Sequence, residues 1–256
     1  MEPIIESLQD GVLLLTLNRP DKKNAFNHSL WEGLRTSLAR ARENDEVSVV
    51  VLTGAGGNFS SGQDLTEFAV KAGESHPFDL AIEEIYDFDK PLLAAATGVS
   101  VGFGATCLFH CDLVFVGESL RLRLPFVNLG LVPEAASSYT LQMIIGAQRA
   151  AELFYTAEWV DATKAVGSGI ALRQFPDDQL LERTLEKATE IAESPLSSLQ
   201  ATKRVLKAPH QDSIRAAHEA EQAGMRQQAG SPDNLEAMTA FMQKRKPDFR
   251  KSAGKT

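Results

Sequence analysis

The sequence predicts an α/β fold that continues into a helical C-terminal region. Ahead of Glu134, short apolar runs alternate with stretches whose apolar residues recur at helical spacing; beyond Glu134, helical spacing takes over. The size agrees. A chain of 256 residues, 43% hydrophobic and 23% charged, suits one large globular unit that needs no disulfide or metal staple.

The elements follow in order. Ile4 to Gln9 and Val12 to Leu17 are apolar runs around Asp10-Gly11, a hairpin signal. Asn18 to Asn27 is polar and rich in turn formers, hence a loop. Leu30, Leu34, Leu38 and Ala41 mark a helix ending near Asn44. Val47 to Thr53 reads as a buried strand, stopped by Gly54-Ala55-Gly56-Gly57, and Asn58 to Leu65 as a second loop. A helix from Phe78 to Phe88 precedes a strand from Leu92 to Ala96, and short strands are expected at Asp112 to Val116 and Leu120 to Leu124. Helices are then expected at Ala135 to Ile145, Gln148 to Tyr155, Asp161 to Val166, Asp177 to Glu193, Pro195 to Leu206, His210 to Ala229 and Pro232 to Lys244. Pro195 and Pro232 stand where helices begin, with Ser194 and Ser231 as their expected caps.

Composition narrows the function. A net charge of −8 argues against general nucleic-acid binding. Two cysteines, Cys107 and Cys111, suit a reducing compartment. No apolar run approaches the ~18 residues of a membrane span. Strand-like residues begin at Ile4-Ile5 without a signal or transit pattern, and Ala253-Gly254-Lys255-Thr256 is not the usual peroxisomal ending. The expectation is a cytoplasmic protein that binds neither membrane nor nucleic acid.

The stretch from Gly98 to Glu134 holds the candidate chemistry. Gly98, Gly102 and Gly104 let the backbone approach a ligand closely, and a strand-to-helix passage leaves N–H groups free for an anionic oxygen. Glu134, after Pro133 and among apolar residues, is a candidate acid/base; the plainer alternative is that the glycines pack and Glu134 caps the next helix. Cys107, His110 and Cys111 form C-x-x-H-C, but no fourth zinc ligand is evident and buried packing is the better reading. His28, His76, His210 and His218 are isolated and read as structural or exposed, and Ser60 and Ser61 as close-approach residues rather than nucleophiles.

Four motifs in one order resemble the crotonase (enoyl-CoA hydratase/isomerase) family. They are Asn18-Arg19-Pro20 with Asn24-Ala25, Phe59 to Leu65, Gly98 to Gly104 ending in Cys111-Asp112, and Ala240 to Pro247. The resemblance covers essentially the whole chain. It implies a crotonase-type spiral of ββα units over residues 1–195 and a helical region over 196–256 serving trimerisation and CoA contacts. It further implies a homotrimer or hexamer, an acyl-CoA thioester as substrate, and no metal or other cofactor. By resemblance the backbone N–H groups of Gln63 and Phe103 form the oxyanion hole, each such donor being worth ~3–4 kcal/mol in a transition state. Phe103 stands where the family often has glycine, so its side chain must point away from the thioester. The same resemblance assigns CoA contacts to Lys23, Ala25, Ser61, Gly62, Asp64, Leu65, Phe241 and Lys244, the last two reaching CoA from a neighbouring subunit in some members; for each lysine a solvated surface charge is the alternative. The basic run Lys244-Arg245-Lys246 reads as a CoA phosphate contact or a solvated face.

Carboxylates separate the family's reactions. A hydratase carries two glutamates, and the resemblance places those positions at Thr106 and Phe126. Pro133-Glu134-Ala135-Ala136-Ser137-Ser138-Tyr139 instead resembles the Δ3,Δ2-enoyl-CoA isomerase branch, where Glu134 would be the single acid/base and Ala135 replaces a glycine. Isomerisation of a 3-enoyl-CoA, a step of unsaturated fatty-acid oxidation, is therefore expected. Leu129, Leu131, Val132, Ala135 and Ala136 are expected to raise the Glu134 pKa by desolvation. Hydration or another crotonase reaction, and acyl-CoA binding without catalysis, are the alternatives.

Overall fold

A computed structural model describes residues 2–66 and 77–252; His76 and the tail from Ala253 to Thr256 lie outside the described residues. Strands β1 (Ile4–Gln9) and β2 (Val12–Leu17) form the expected hairpin. Asp10 and Gly11 have φ of 49° and 77°, both left-handed, as a tight turn matched to strand twist requires. Helix α1 (His28–Glu43) starts on Asn27, whose side chain accepts the Leu30 N–H, and buries Leu30, Trp31, Leu34, Leu38 and Ala41.

Strand β3 (Val49–Gly54), helix α2 (Pro77–Asp87), strand β4 (Leu92–Ala96), strand β5 (Val99–Val101) and helix α3 (Phe103–Thr106) follow. Next come β6 (Leu113–Gly117), β7 (Arg121–Arg123), α4 (Ser137–Ile145), α5 (Ala147–Thr156), β8 (Val160–Asp161), α6 (Ala162–Ser168), β9 (Arg173–Phe175) and α7 (Asp177–Ala192). Helices α8 (Leu196–Lys207), α9 (Gln211–Gln228), α10 (Pro232–Met242) and α11 (Phe249–Ser252) close the chain. No helix among the described residues is long and apolar enough to cross a membrane.

The large sheet runs β1-β2-β3-β4-β6-β9, parallel throughout except for the β1–β2 hairpin. A small sheet runs β5-β7-β8. Strand β4 leads into β5 and β6 leads into β7, so successive turns of the chain give one strand to each sheet. Ser60, after β3, bridges to Ser100 of β5 and adds another rung. The backbone thus winds as a spiral. The central strands are apolar on both faces because both are covered. Val50, Leu52 and Ala94 face the main core with α1 and α2. Val49, Val51, Leu93, Ala95 and Phe115 face Leu180 and Ala188 of α7. Burying one large apolar side chain is worth about 1.5–3 kcal/mol.

Several local expectations need correction. Strands β5, β8 and β9 were not expected; each is too short to show alternation. Helix α4 starts at Ser137, not Ala135, because Ala135 and Ala136 have φ of 58° and 53°. Pro195 itself occupies the cap position of α8, with ψ of 125°, so Ser194 does not cap that helix. Ser231 does cap α10, accepting the Asn234 N–H, with Pro232 in the first turn.

Helix α8 is fastened to the spiral by lysines. Lys203, 5% exposed, donates Nζ to the Lys90 carbonyl and to Asp112 Oδ2, both at 2.7 Å. Asp112 Oδ2 also accepts the Leu92 N–H at 2.7 Å, so one carboxylate ties β4 to α8. Lys203→Met keeps the stem and removes the charge. It is expected to lower stability by about 1–3 kcal/mol in urea unfolding, the size of a lost hydrogen bond to a charged group; an unchanged midpoint would refute the tie.

Candidate active site

Two loops meet at the head of the spiral because Asn24 holds them together. Asn24 is fully buried and left-handed, with φ of 55°. Its Nδ2 donates to the carbonyls of Ala55 and Asn58 at 2.9 and 2.7 Å, and its Oδ1 accepts the Arg19 N–H at 2.9 Å. Ser60 Oγ donates to the Asn24 carbonyl at 2.8 Å and accepts the Gly62 N–H at 3.1 Å. The loops then pair: Phe26 N–H donates to the Gly62 carbonyl and Asp64 N–H to the Phe26 carbonyl, at 2.7 and 2.9 Å. Residues 62 and 64 are spent on this bridge, so the Gln63 N–H points the other way.

The second N–H comes from the turn between β5 and α3. Gly102, with φ of 55°, donates its N–H to the Arg123 carbonyl and accepts from Ala105 and Thr106. Phe103 begins α3, where an N–H has no intrahelical acceptor. Among the described residues neither the Gln63 nor the Phe103 N–H donates to a backbone carbonyl. The two turns touch through glycine. A Cβ on Gly62 would lie 2.5 Å from the Val101 carbonyl oxygen, and one on Gly104 would lie 2.2 Å from that of Ser60.

Both side chains are held out of the way. Gln63 Oε1 accepts the Trp31 indole N–H at 2.8 Å. The Phe103 ring is buried among Phe26, Trp31 and Phe78, with centroids 5.0, 4.4 and 5.8 Å away.

Glu134 is half-buried, and a Cβ on Gly102 would stand 3.9 Å from its Oε1. Burial raises its pKa to about 8, with the negative charge of Glu221 adding to the shift. The expected apolar surroundings account for the first cause; Glu221 was not foreseen. It sits on α9, 6% exposed, and accepts the N–H groups of Ala136 and Ser138 at 2.6 and 2.8 Å. One signal pointed to it. Ile214 and Ala217 of α9 face the core, and Glu221 continues their line, an acidic residue on an apolar stripe.

A cavity of about 560 Å³ joins these groups. Ser61, Gly62, Gln63, Leu65, Phe103, Glu134 and Phe241 all line it, as do Phe126 and Glu221. Lys23, Ala25, Asp64 and Lys244 do not. Lys23 is exposed, and its carbonyl accepts the Ser61 N–H at 2.9 Å. Ala25 is buried, its carbonyl accepting from Arg19 at 2.9 Å. Asp64 is paired with Arg19 at 2.7 Å, so its carboxylate braces the loop. Lys244 is exposed at the end of α10. Thr106 is fully buried, and among the described residues its hydroxyl has no partner.

The cysteine and histidine residues serve the turns. The Cys107 thiol is buried and faces the Gly104 carbonyl, and Cys111 faces the Cys107 carbonyl. His110 Nε2 lies 2.6 Å from the Ala135 carbonyl, and burial pulls its pKa down to about 4, so the neutral ring donates. His218 and His210 meet the hydroxyls of Tyr86 and Tyr139 at 3.3 and 3.1 Å.

The enoyl-CoA hydratase/isomerase family model matches residues 7–252. The 2,3-dehydroadipyl-CoA hydratase of Escherichia coli (strain K12) is 34% identical over 98% of this chain and 99% of its own. Enoyl-CoA delta isomerase 2 of Rattus norvegicus is 30% identical over 95% of this chain and 64% of its own. The crystal structure of the enoyl-CoA hydratase/isomerase from Pseudoalteromonas atlantica T6c superposes with a TM-score of 0.92 at 34% identity, covering 96% of this chain and 99% of that one.

The glycine contacts make a test. Gly62→Ala and Gly104→Ala must each separate the two turns, and are expected to cut acyl-CoA turnover by ~100-fold. Gln63→Ala, which leaves the backbone donor, should keep most of it. Turnover measured side by side would sink the geometry if the alanine variants at 62 and 104 matched wild type.

Proposed function

The chain belongs to the enoyl-CoA hydratase/isomerase family, a crotonase-fold family acting on acyl-CoA thioesters, and on that footing we propose that it is an isomerase. It would move a double bond from the 3,4 to the 2,3 position of an enoyl-CoA. The observation that supports this reading is that among the described residues the Glu134 carboxylate, beside the Gly102 turn, accepts no hydrogen bond. Of the other carboxylates lining the cavity, Glu221 already accepts two backbone N–H groups and Asp79 accepts from Gln222 at 2.7 Å. Thr106 and Phe126 supply no acid/base where a hydratase would carry glutamates.

In this reading the N–H groups of Gln63 and Phe103 bind the thioester oxygen and stabilise the dienolate as charge moves onto it. Glu134 takes a proton from C2, holds it as a neutral acid, and returns it at C4. Desolvation sets its pKa near the working pH, so both transfers are accessible. Ser61, Gly62 and Leu65 would line the CoA path, with Phe241 closing it. Lys23, Ala25, Asp64 and Lys244 would act from the surrounding loops or across a subunit contact. Residues 196–256 would serve assembly into a trimer or hexamer, which light scattering of a micromolar solution tests; a monomer there would end that part of the proposal.

Because the base form of Glu134 is required, kcat/KM for a 3-enoyl-CoA is expected to rise with pH through a midpoint near 8. Conversion of 3-enoyl-CoA to 2-enoyl-CoA should far outpace hydration of 2-enoyl-CoA. Glu134→Gln should lower kcat by ~100-fold or more and leave acyl-CoA affinity nearly unchanged. Separated products that show hydration alone, or a Gln variant isomerising at the wild-type rate, would overturn the reading.

A further inference from the structure

Glu134 stands on a turn that alanine does not favour. Ala135 and Ala136 are both left-handed, with φ of 58° and 53°. Groups outside the turn hold it there. His110 donates to the Ala135 carbonyl at 2.6 Å. Glu221 reaches across from α9 and accepts the N–H groups of Ala136 and Ser138. A helix start leaves such donors without partners, and its dipole favours a negative charge. We propose that Glu221 is a positioning residue, pinning the turn at Ala135 and Ala136 so that the Glu134 carboxylate is aimed over Gly102. This rests on the reading of Glu134 as the acid/base.

Glu221 acts by charge as well as by geometry. Tyr86 from α2, Cys107 and His110 from the segment around α3, and His218 from α9 surround the two carboxylates. Burial raises the Tyr86 and Cys107 pKa values and lowers those of both histidines, so all four are neutral near pH 7. Asp79 of α2 and Arg245 also line the cavity; Asp79 accepts from Gln222 at 2.7 Å, and Arg245 is paired with Glu236 at 2.6 Å. Glu83 and Arg215 pair with each other at 2.9 Å. Glu221 is thus the charge that bears on Glu134. Its removal would ease ionisation of Glu134 and shift the base form to lower pH.

The experiment is exchange of the C2 protons of butyryl-CoA in D2O, followed by proton NMR across pH. This reads proton transfer at C2 whatever the later reaction. Wild type, Glu134→Gln and Glu221→Gln are compared, with thermal melting and butyryl-CoA affinity measured alongside. Glu134→Gln should abolish exchange. Glu221→Gln keeps the volume, loses one acceptor and loses the charge. Its plateau should fall by ~10- to 100-fold, the effect of misplacing a reacting group. Its acidic limb should move to lower pH by about one unit. Should the Gln variant not fold, Glu221→Asp keeps the charge but cannot span both N–H groups, and should lower the plateau without moving the limb. Inactive Glu134→Gln beside an unchanged Glu221→Gln plateau and limb overturns the positioning role alone. A lowered plateau with an unmoved limb and a lowered melting temperature in Glu221→Gln assigns it a structural role and also overturns the proposal. Wild-type exchange in Glu134→Gln overturns the acid/base reading, and this inference with it.

Discussion

The contact on which the site depends is backbone against backbone at Gly62 and Gly104. The loop after β3 and the turn after β5 approach so closely that a methyl group at either position would enter a carbonyl oxygen. That approach fixes the turn that carries Gln63 against the turn that carries Phe103. Everything nearby serves it. Asn24 and Ser60 close one loop, Trp31 draws the Gln63 side chain aside, and the aromatic cluster sinks the Phe103 ring below the turn. In the proposed reading the two donors are in place before a ligand arrives, which is what makes such donors effective against developing charge.

The second constraint is electrostatic. A carboxylate removed from water holds its proton more tightly, and a second negative charge in the same wall strengthens that hold. Glu134 and Glu221 share a cavity but not a situation. Glu221 accepts two backbone N–H groups at the start of α4, whereas Glu134 stands beside Gly102. In the proposed reading such a division gives one carboxyl group for structure and one free to exchange its proton. It also makes α9, far along the chain, part of the architecture of a site whose other parts lie in the spiral.

The C-terminal helices are joined to that spiral by polar ties as well as by the apolar stripe of α9. Lys203 of α8 reaches Asp112, and Lys207 of α8 caps α2 through the Tyr86 carbonyl at 2.6 Å. Phe241 and Met242 of α10 remain exposed, at 62% and 80%. Their exposure agrees with a proposed contact between copies of the chain.

What the sequence determined is what periodicity and turn chemistry encode. The Asp10-Gly11 hairpin, the strand Leu92–Ala96, helix α1 and Glu134 among apolar neighbours were legible because each is a property of a few adjacent residues. The order of the motifs pointed to the family. Tertiary structure decided the rest. Strands β5, β8 and β9 are too short to show a period, and exist because the large sheet and its partner recruit them. Left-handed Ala135 and Ala136 contradict their own preference, and are held by His110 and Glu221. Glu221 lies 85 residues from the N–H of Ala136 that it accepts. A local pattern specifies which face of a helix is buried; only the packed chain specifies which carboxylate that face brings to the site.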